Sequence, residues 1–83
     1  MDFNTVLAVA DVLRAAQQNA AFMRLQEDGS VLRGTARRIS GDTEDNVLSC
    51  SLDVTTEQGW EFSWNIGVLA QEVLRGEFVA GRE

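Results

Sequence analysis

Three arginines and a short acidic segment are the side chains best suited to binding chemistry in this 83-residue chain. The dipeptide Asp-Gly at positions 28–29 is one that a two-residue type I′ turn prefers, because both central residues need a positive φ. Such a turn predicts a hairpin over 22–39 in which Arg24 opposes Arg33, with Arg37 on the same face of the sheet. Guanidinium groups placed in this way suit bidentate binding of a carboxylate or a phosphate.

Like charges directly opposed on two strands are destabilising, so this arginine pair needs a counter-charge. Carboxylates of the same domain, such as Glu27 or those of the 42–45 loop, are one possible source of this counter-charge. The functional alternative is an anionic partner: an acidic protein patch, a phosphate, or nucleic acid held by a local basic strip. The sequence leaves both explanations open.

The acidic segment is the loop "GDTEDN", whose carboxylates are Asp42, Glu44 and Asp45. Because their spacing fails the EF-hand pattern and lacks its glycine, we expect a solvated loop rather than a cation site. Trp60 is a further candidate for partner binding, since it flanks a predicted hairpin loop at the end of the sheet. It either closes the end of the core or lies exposed, where Trp is favoured as an interface hot spot.

Catalytic chemistry has little support in the residue types present. The chain has no His to activate its single cysteine, Cys50, and the alternation around that residue places the thiol inside the sheet. The same counts exclude metal sites built from His and Cys clusters. We expect a protein that is not an enzyme and has no metal or cofactor.

The charge balance favours a basic protein partner. All seven cations are Arg, and thirteen carboxylates bring the net charge to −6. This balance disfavours general binding to nucleic acid or anionic lipid, which depends on cationic groups. One cysteine and the lack of a long apolar run predict a cytoplasmic protein that does not associate with membranes.

An N-terminal helix is predicted over residues 5–18, with Asn4 or Thr5 as its cap. Its apolar stripe consists of Val6, Val9, Ala10, Leu13 and Ala16. Leu7 and Val12 widen the apolar face, which indicates either a helix well covered by its own domain or one whose second flank meets another subunit. The second option allows a homo-oligomer.

Two hairpins follow the helix. In the first, the type I′ turn places on one face Met23, Leu25, Leu32, Gly34 and Ala36, and on the other Phe22, Arg24, Gln26, Arg33, Thr35 and Arg37. The second alternates over 47–54 and resumes after a three-residue loop at 57–59. Its register pairs apolar residues on one face: Val54 with Phe62, Leu52 with Trp64, and Cys50 with Ile66.

The stretch "WEFSWNIGVLAQEVLRG" changes from a strand pattern to a helical one. We predict a helix over 66–75, capped by Asn65 and followed by Gly76 at its C′ position. Its buried side would carry Leu69 and Val73, and its exposed side Gln71 and Glu72. The chain is then one compact α+β domain, 1–83: an N-terminal helix, a four-stranded antiparallel sheet of two hairpins, and a C-terminal helix.

The order of a helix, a "DG" hairpin, an acidic loop and a second hairpin resembles Sm-like small barrels. In that family a helix precedes a strongly bent five-stranded sheet, so the resemblance implies a turn over "WNIGVLAQ" and a fifth strand over "EVLRGEFVA". The segment "EDGSVLRGTARRI", with the length and acidity, resembles the Rof-type Rho-binding antiterminators, small acidic inhibitors of a transcription terminator. "VLRAAQQNAAFMRLQEDGS" resembles the start of WYL-type regulatory domains, although the Trp-Tyr-Leu signature is missing.

The sequence favours a non-enzymatic protein-interaction module, a regulator or inhibitor that masks a basic surface of its partner. The rival hypothesis is an oligomeric Sm-like protein that binds nucleic acid through Arg24, Arg33 and Arg37. A third hypothesis is an accessory subunit of a larger enzyme.

Overall fold

A computed structural model of the chain describes residues 1–81 and has the expected α+β architecture. The helices are α1 (Phe3–Gln18), α2 (Thr43–Asn46) and α3 (Ile66–Leu74), and a 3₁₀ turn spans Val47–Ser49. The strands are β1 (Ala21–Leu25), β2 (Val31–Ser40), β3 (Ser51–Thr56), β4 (Glu61–Asn65) and β5 (Phe78–Ala80). The N-terminal helix, both hairpins and the later helix are confirmed, and a fifth strand is added to the expected four.

The five strands form one open antiparallel sheet in the order β4-β3-β2-β1-β5. The helices α1 and α3 pack against each other and against the inner face of the sheet. The rings of Phe22 on β1 and Trp64 on β4 lie 5.5 Å apart although two strands separate β1 from β4. This short distance shows that the sheet is strongly bent. The largest fully buried side chains are Phe78, Leu52, Ile66, Leu69, Val12 and Val54.

Helix α1 is capped by Asp2, whose carboxylate accepts a hydrogen bond from the Thr5 N–H at 2.8 Å, and not by Asn4 or Thr5 as predicted. Its buried face also differs from the predicted stripe and consists of Ala8, Val9, Val12, Ala15 and Ala16. Small alanines face inward because α1 packs on both the sheet and α3. Of the two flanking residues, Val12 is fully buried and Leu7 is exposed.

The first hairpin has a three-residue loop, which corrects the predicted two-residue turn. The Gln26 N–H donates to the Ser30 carbonyl at 2.9 Å, and Gly29 takes the left-handed bulge position with φ of 88°. The longer loop shifts the register by one residue, so that Arg24 opposes Leu32 and not Arg33. Every side chain of β1 therefore lies on the opposite face from the prediction.

The second hairpin confirms its predicted register. Val54 opposes Phe62 and Leu52 opposes Trp64 in the ladder, and the Ile66 N–H donates to the Cys50 carbonyl at 2.9 Å. The thiol is buried, as expected. The strand begins at Ser51, however, because α2 and the 3₁₀ turn take up the chain from 43 to 49, where the prediction had a loop and the first residues of the strand.

The change from strand to helix at Ile66 is also confirmed. The Asn65 side chain accepts a hydrogen bond from the Val68 N–H, and the helix ends at Leu74. Gly76 lies at the predicted C′ position with φ of 76°. The Glu77 N–H donates to the Glu72 carbonyl at 2.8 Å, which is the hydrogen bond from C″ to C3 that defines a Schellman motif. This turn sends the chain back along β1 as β5, so the fifth strand begins at Phe78, well after the start implied by the barrel resemblance.

Gly34 allows β2 to approach β3 closely where the sheet bends. A Cβ at this position would collide with the backbone oxygen of Thr55 and lie 2.9 Å from the Phe22 ring. We predict that Gly34→Ala lowers the free energy of unfolding by about 3 kcal/mol, because the added methyl group meets backbone that cannot move aside. Urea titration followed by tryptophan fluorescence measures this change.

Gly29→Asn is the matched control, since a Cβ at Gly29 meets nothing within 4 Å and Asn tolerates a left-handed conformation. It should change the free energy of unfolding by less than about 1 kcal/mol. Equal stability of the two variants would contradict the assigned close approach at Gly34.

Candidate interaction groove

A row of aromatic rings runs along the inner face of β4 from the core to the surface. Trp64 contacts Phe22 edge-to-face, Phe62 stacks on Trp64 at 5.8 Å, and Trp60 lies 6.4 Å from Phe62. Exposure rises along the row: Phe22 is 2% exposed, Phe62 38% and Trp60 65%. The last two rings therefore form an apolar surface that the domain does not cover.

Arg24 anchors the inner end of this row through an ion pair with Glu72 of α3. The guanidinium donates from Nε to Oε1 and from Nη2 to Oε2, both at 2.7 Å. It also lies 4.4 Å from the centroid of the Trp64 ring, within the range of a cation–π interaction. The two side chains are only 20% and 11% exposed, so the pair is shielded from solvent.

This ion pair corrects two predictions. Glu72 was expected to face water, but its side chain is buried against Arg24. The counter-charge for Arg24 is therefore internal, and it comes from α3 and not from Glu27 or the 42–45 loop. The cause is the register of the first hairpin, which places Arg24 on the inner face, where α3 can reach it.

A groove opens beside the aromatic row, between the tip of the first hairpin, β4 and the C-terminal end of α3. We call it the aromatic groove, and its lining residues include Arg24, Leu32, Phe62, Trp64, Glu72 and Arg75. Four carboxylates line it against two guanidinium groups. Of these carboxylates, Glu72 and Glu77 pair with the two arginines, which leaves Glu27 and Asp28 as its excess negative charge.

Asp28 is held in its charged form by the hairpin loop. Its Oδ1 accepts hydrogen bonds from the Ser30 hydroxyl at 2.6 Å and from the Ser30 N–H at 2.9 Å. Both bonds lower the pKa of Asp28 below its usual value, and the bond from the Ser30 hydroxyl has the larger effect. Asp28 therefore keeps its negative charge to a lower pH than a free aspartate does.

The predicted arginine strip does not form. Arg33 opposes Met23 on the outer face of the sheet, opposite to the face that carries Arg24. Arg37 is the extra residue at a bulge between Ala36 and Arg38, and its Nε donates to the Thr55 hydroxyl at 3.3 Å. The alternation of residues along the strands did not reveal that Arg24 is separated from the other two arginines, because it assumed a two-residue turn and a strand without a bulge.

The acidic segment lies apart from the aromatic groove. Asp42 caps α2 by accepting a hydrogen bond from the Glu44 N–H at 3.0 Å, and Asp42, Glu44 and Asp45 are all exposed. These three residues do not line the groove. Phe62 and Trp64 do line it, although the sequence did not predict them as binding residues. Within residues 1–81, no group of His, Cys, Asp and Glu side chains could hold a metal ion.

Asp53 organises the polar outer face of β2, β3 and β4. It accepts hydrogen bonds from the hydroxyls of Ser40 and Ser63, both at 2.6 Å, and from Arg38 Nε at 2.9 Å. These three contacts, Ser40 first, lower the pKa of Asp53 to about 2. This network joins the outer surfaces of three neighbouring strands.

Comparison with protein-family models, curated proteins and solved structures gave no match to this chain. In the part of the chain that the structure describes, none of the helices is both long and apolar enough to cross a bilayer.

We predict that Glu72→Gln costs about 2 kcal/mol of folding free energy, because it leaves the half-buried guanidinium of Arg24 without a negative partner. Denaturant unfolding measures this cost. Glu44→Gln is the control, since its carboxylate is exposed and should change stability by less than about 0.5 kcal/mol. A Glu72→Gln variant as stable as the control would show that the ion pair does not contribute to folding.

The Asp53 network predicts acid sensitivity. Because the pKa is lower in the folded state, the ionised group contributes its full stabilisation above about pH 5 and loses it as the pH falls towards 2. The difference in unfolding free energy between the parent and Asp53→Asn should therefore decrease as the pH falls from about 5 to about 2. This range is set by the pKa of Asp53 in the unfolded and in the folded chain. Urea titrations across this range measure the difference, and a constant gap would refute the assignment.

Proposed function

We propose that this protein is a non-enzymatic protein-interaction module that binds a basic segment of a partner in the aromatic groove. The observation that carries the proposal is the exposed end of the aromatic row, where Trp60 is 65% and Phe62 38% exposed beside a groove with excess negative charge. Such a site offers both a stacking surface and counter-charges to an Arg or Lys side chain.

Physical considerations support a protein ligand. Exposed Trp side chains are frequent hot spots, because they bury a large area and have few rotatable bonds. The net charge of −6 steers a basic partner towards this protein at long range. The exposed carboxylates of the 42–45 segment add to this field without contacting the groove.

By binding a basic segment in its groove, the module would act in the cytoplasm as a regulator or inhibitor that masks a basic surface of its partner. The resemblance to Rof-type Rho-binding antiterminators points in the same direction. The resemblance lies in the order of elements and in the segment "EDGSVLRGTARRI".

The rival nucleic-acid hypothesis has less support. It depends on three arginines acting together, yet Arg24 is paired with Glu72 on the inner face, while Arg33 and Arg37 are associated with the outer face. A labelled single-stranded RNA oligonucleotide titrated at several salt concentrations distinguishes the two hypotheses. Binding with a steep negative dependence on salt would favour nucleic acid.

We predict that Trp60→Ala weakens binding of a basic peptide at least tenfold, or by about 1.4 kcal/mol, because it removes the most exposed ring of the row. The probe is a fluorescein-labelled peptide of alternating arginine and threonine, and the measurement is its fluorescence anisotropy. Gln58→Ala, in the same exposed loop, is the matched control and should bind like the parent. No binding by the parent protein, or equal binding by both variants, would overturn the proposal.

A further inference from the structure

Strand β4 forms an open edge of the sheet directly beside the aromatic groove. The Thr56 N–H donates to the Trp60 carbonyl, and the Ile66 N–H donates to the Cys50 carbonyl. Hydrogen-bonded pairs alternate along an antiparallel ladder, so the backbone of Phe62 and Trp64 also faces β3. The N–H and C=O groups of Glu61 and Ser63 therefore point outward, to the open side of the edge.

The two edges of the sheet differ in how well they are protected. Strand β5 has only three residues, and a short edge strand gives another chain little to pair with. Strand β4 has five residues in continuous register with β3, and its sequence "EFSWN" contains neither Pro nor Lys, the residues that commonly blunt such edges. The outward backbone groups of Glu61 and Ser63 are thus available for pairing, next to the exposed rings.

We propose that the basic segment bound by this protein adds to β4 as a further antiparallel strand; this inference rests on the proposed function of the aromatic groove. Opposed residues of antiparallel strands lie on the same face. Residues of the segment opposite Phe62 and Trp64 would point into the groove, and those opposite Glu61 and Ser63 would exchange backbone hydrogen bonds with β4. The partner is therefore an extended segment with Arg or Lys at every second position.

The occupant is assigned by charge. The groove has more carboxylates than guanidinium groups, and the excess comes from Glu27 and Asp28 at the tip of the first hairpin. A segment with basic side chains at alternate positions would place each of them on the inner face, next to the exposed aromatic rings. The backbone pairing supplies affinity, and the alternate side chains supply specificity.

N-methylation of the probe tests the pairing directly, because it removes a backbone donor without changing the side chain. The alternating arginine–threonine peptide is compared with a form methylated at the threonine nitrogens and a form methylated at the arginine nitrogens. Threonines opposite Glu61 and Ser63 donate to β4, so their methylation should lower affinity at least about tenfold, while methylation at arginine should change it by less than about threefold.

A pair of protein variants tests the same edge from the other side. The Ser63 N–H points away from β3, so Ser63→Pro blocks addition of a strand while it keeps the ladder within the domain. Ser63→Ala is the matched control for loss of the hydroxyl that donates to Asp53. We expect at least about tenfold weaker peptide binding in the proline variant than in the alanine variant, with amide spectra showing that both are folded.

The outcomes separate this inference from the proposed function. Equal binding of all three peptides, and of both Ser63 variants, would overturn strand addition but leave binding in the groove intact. Loss of affinity only with the arginine-methylated peptide would overturn the antiparallel alignment. If the unmethylated peptide does not bind the parent protein, the proposed function itself fails. Concentration-dependent dimers lost in Ser63→Pro would assign the edge to a second copy of this chain instead.

Discussion

The packing of Phe22 over Gly34 is the contact on which the rest of the inner face depends. These residues oppose each other across β1 and β2, and the Phe22 ring lies 2.9 Å from the place where a Cβ at position 34 would be, a space that the backbone of Thr55 and Thr56 also closes. Phe22 is then stacked on Phe78 at 5.7 Å and contacts Trp64 edge-to-face. Because side chains alternate along a strand, placing Phe22 inside also places Arg24 inside.

An arginine on the inner face needs compensation, and α3 provides it. The bidentate contact with Glu72 satisfies the charge, and the Trp64 ring covers the guanidinium plane. A half-buried ion pair of this kind gives little net stability compared with apolar residues, but breaking it is costly. The pair joins α3 to β1, with the Trp64 ring 4.4 Å from the guanidinium.

The sequence predicts the second hairpin well because local and cross-strand signals agree there. Its three-residue loop and its apolar pairs lead to the same register. In the first hairpin, Asp28-Gly29 is compatible with both a two-residue and a three-residue loop, so this dipeptide does not fix the register. The observed register places Phe22 on the inner face, opposite Gly34. The ion pair of Arg24 with Glu72 joins residues 48 positions apart, so no local pattern could have placed Glu72 beside the groove.

The aromatic row connects the core with the proposed binding surface. Its inner rings are held by Phe22 and Arg24, and each outer ring contacts the one before it. Rings that are ordered before a ligand arrives lose little conformational freedom on binding, so more of the contact energy appears as affinity. The same strand presents the outward backbone groups of Glu61 and Ser63. In the proposed complex, side-chain recognition and backbone pairing would both come from this one strand, and the two would act on a single extended segment.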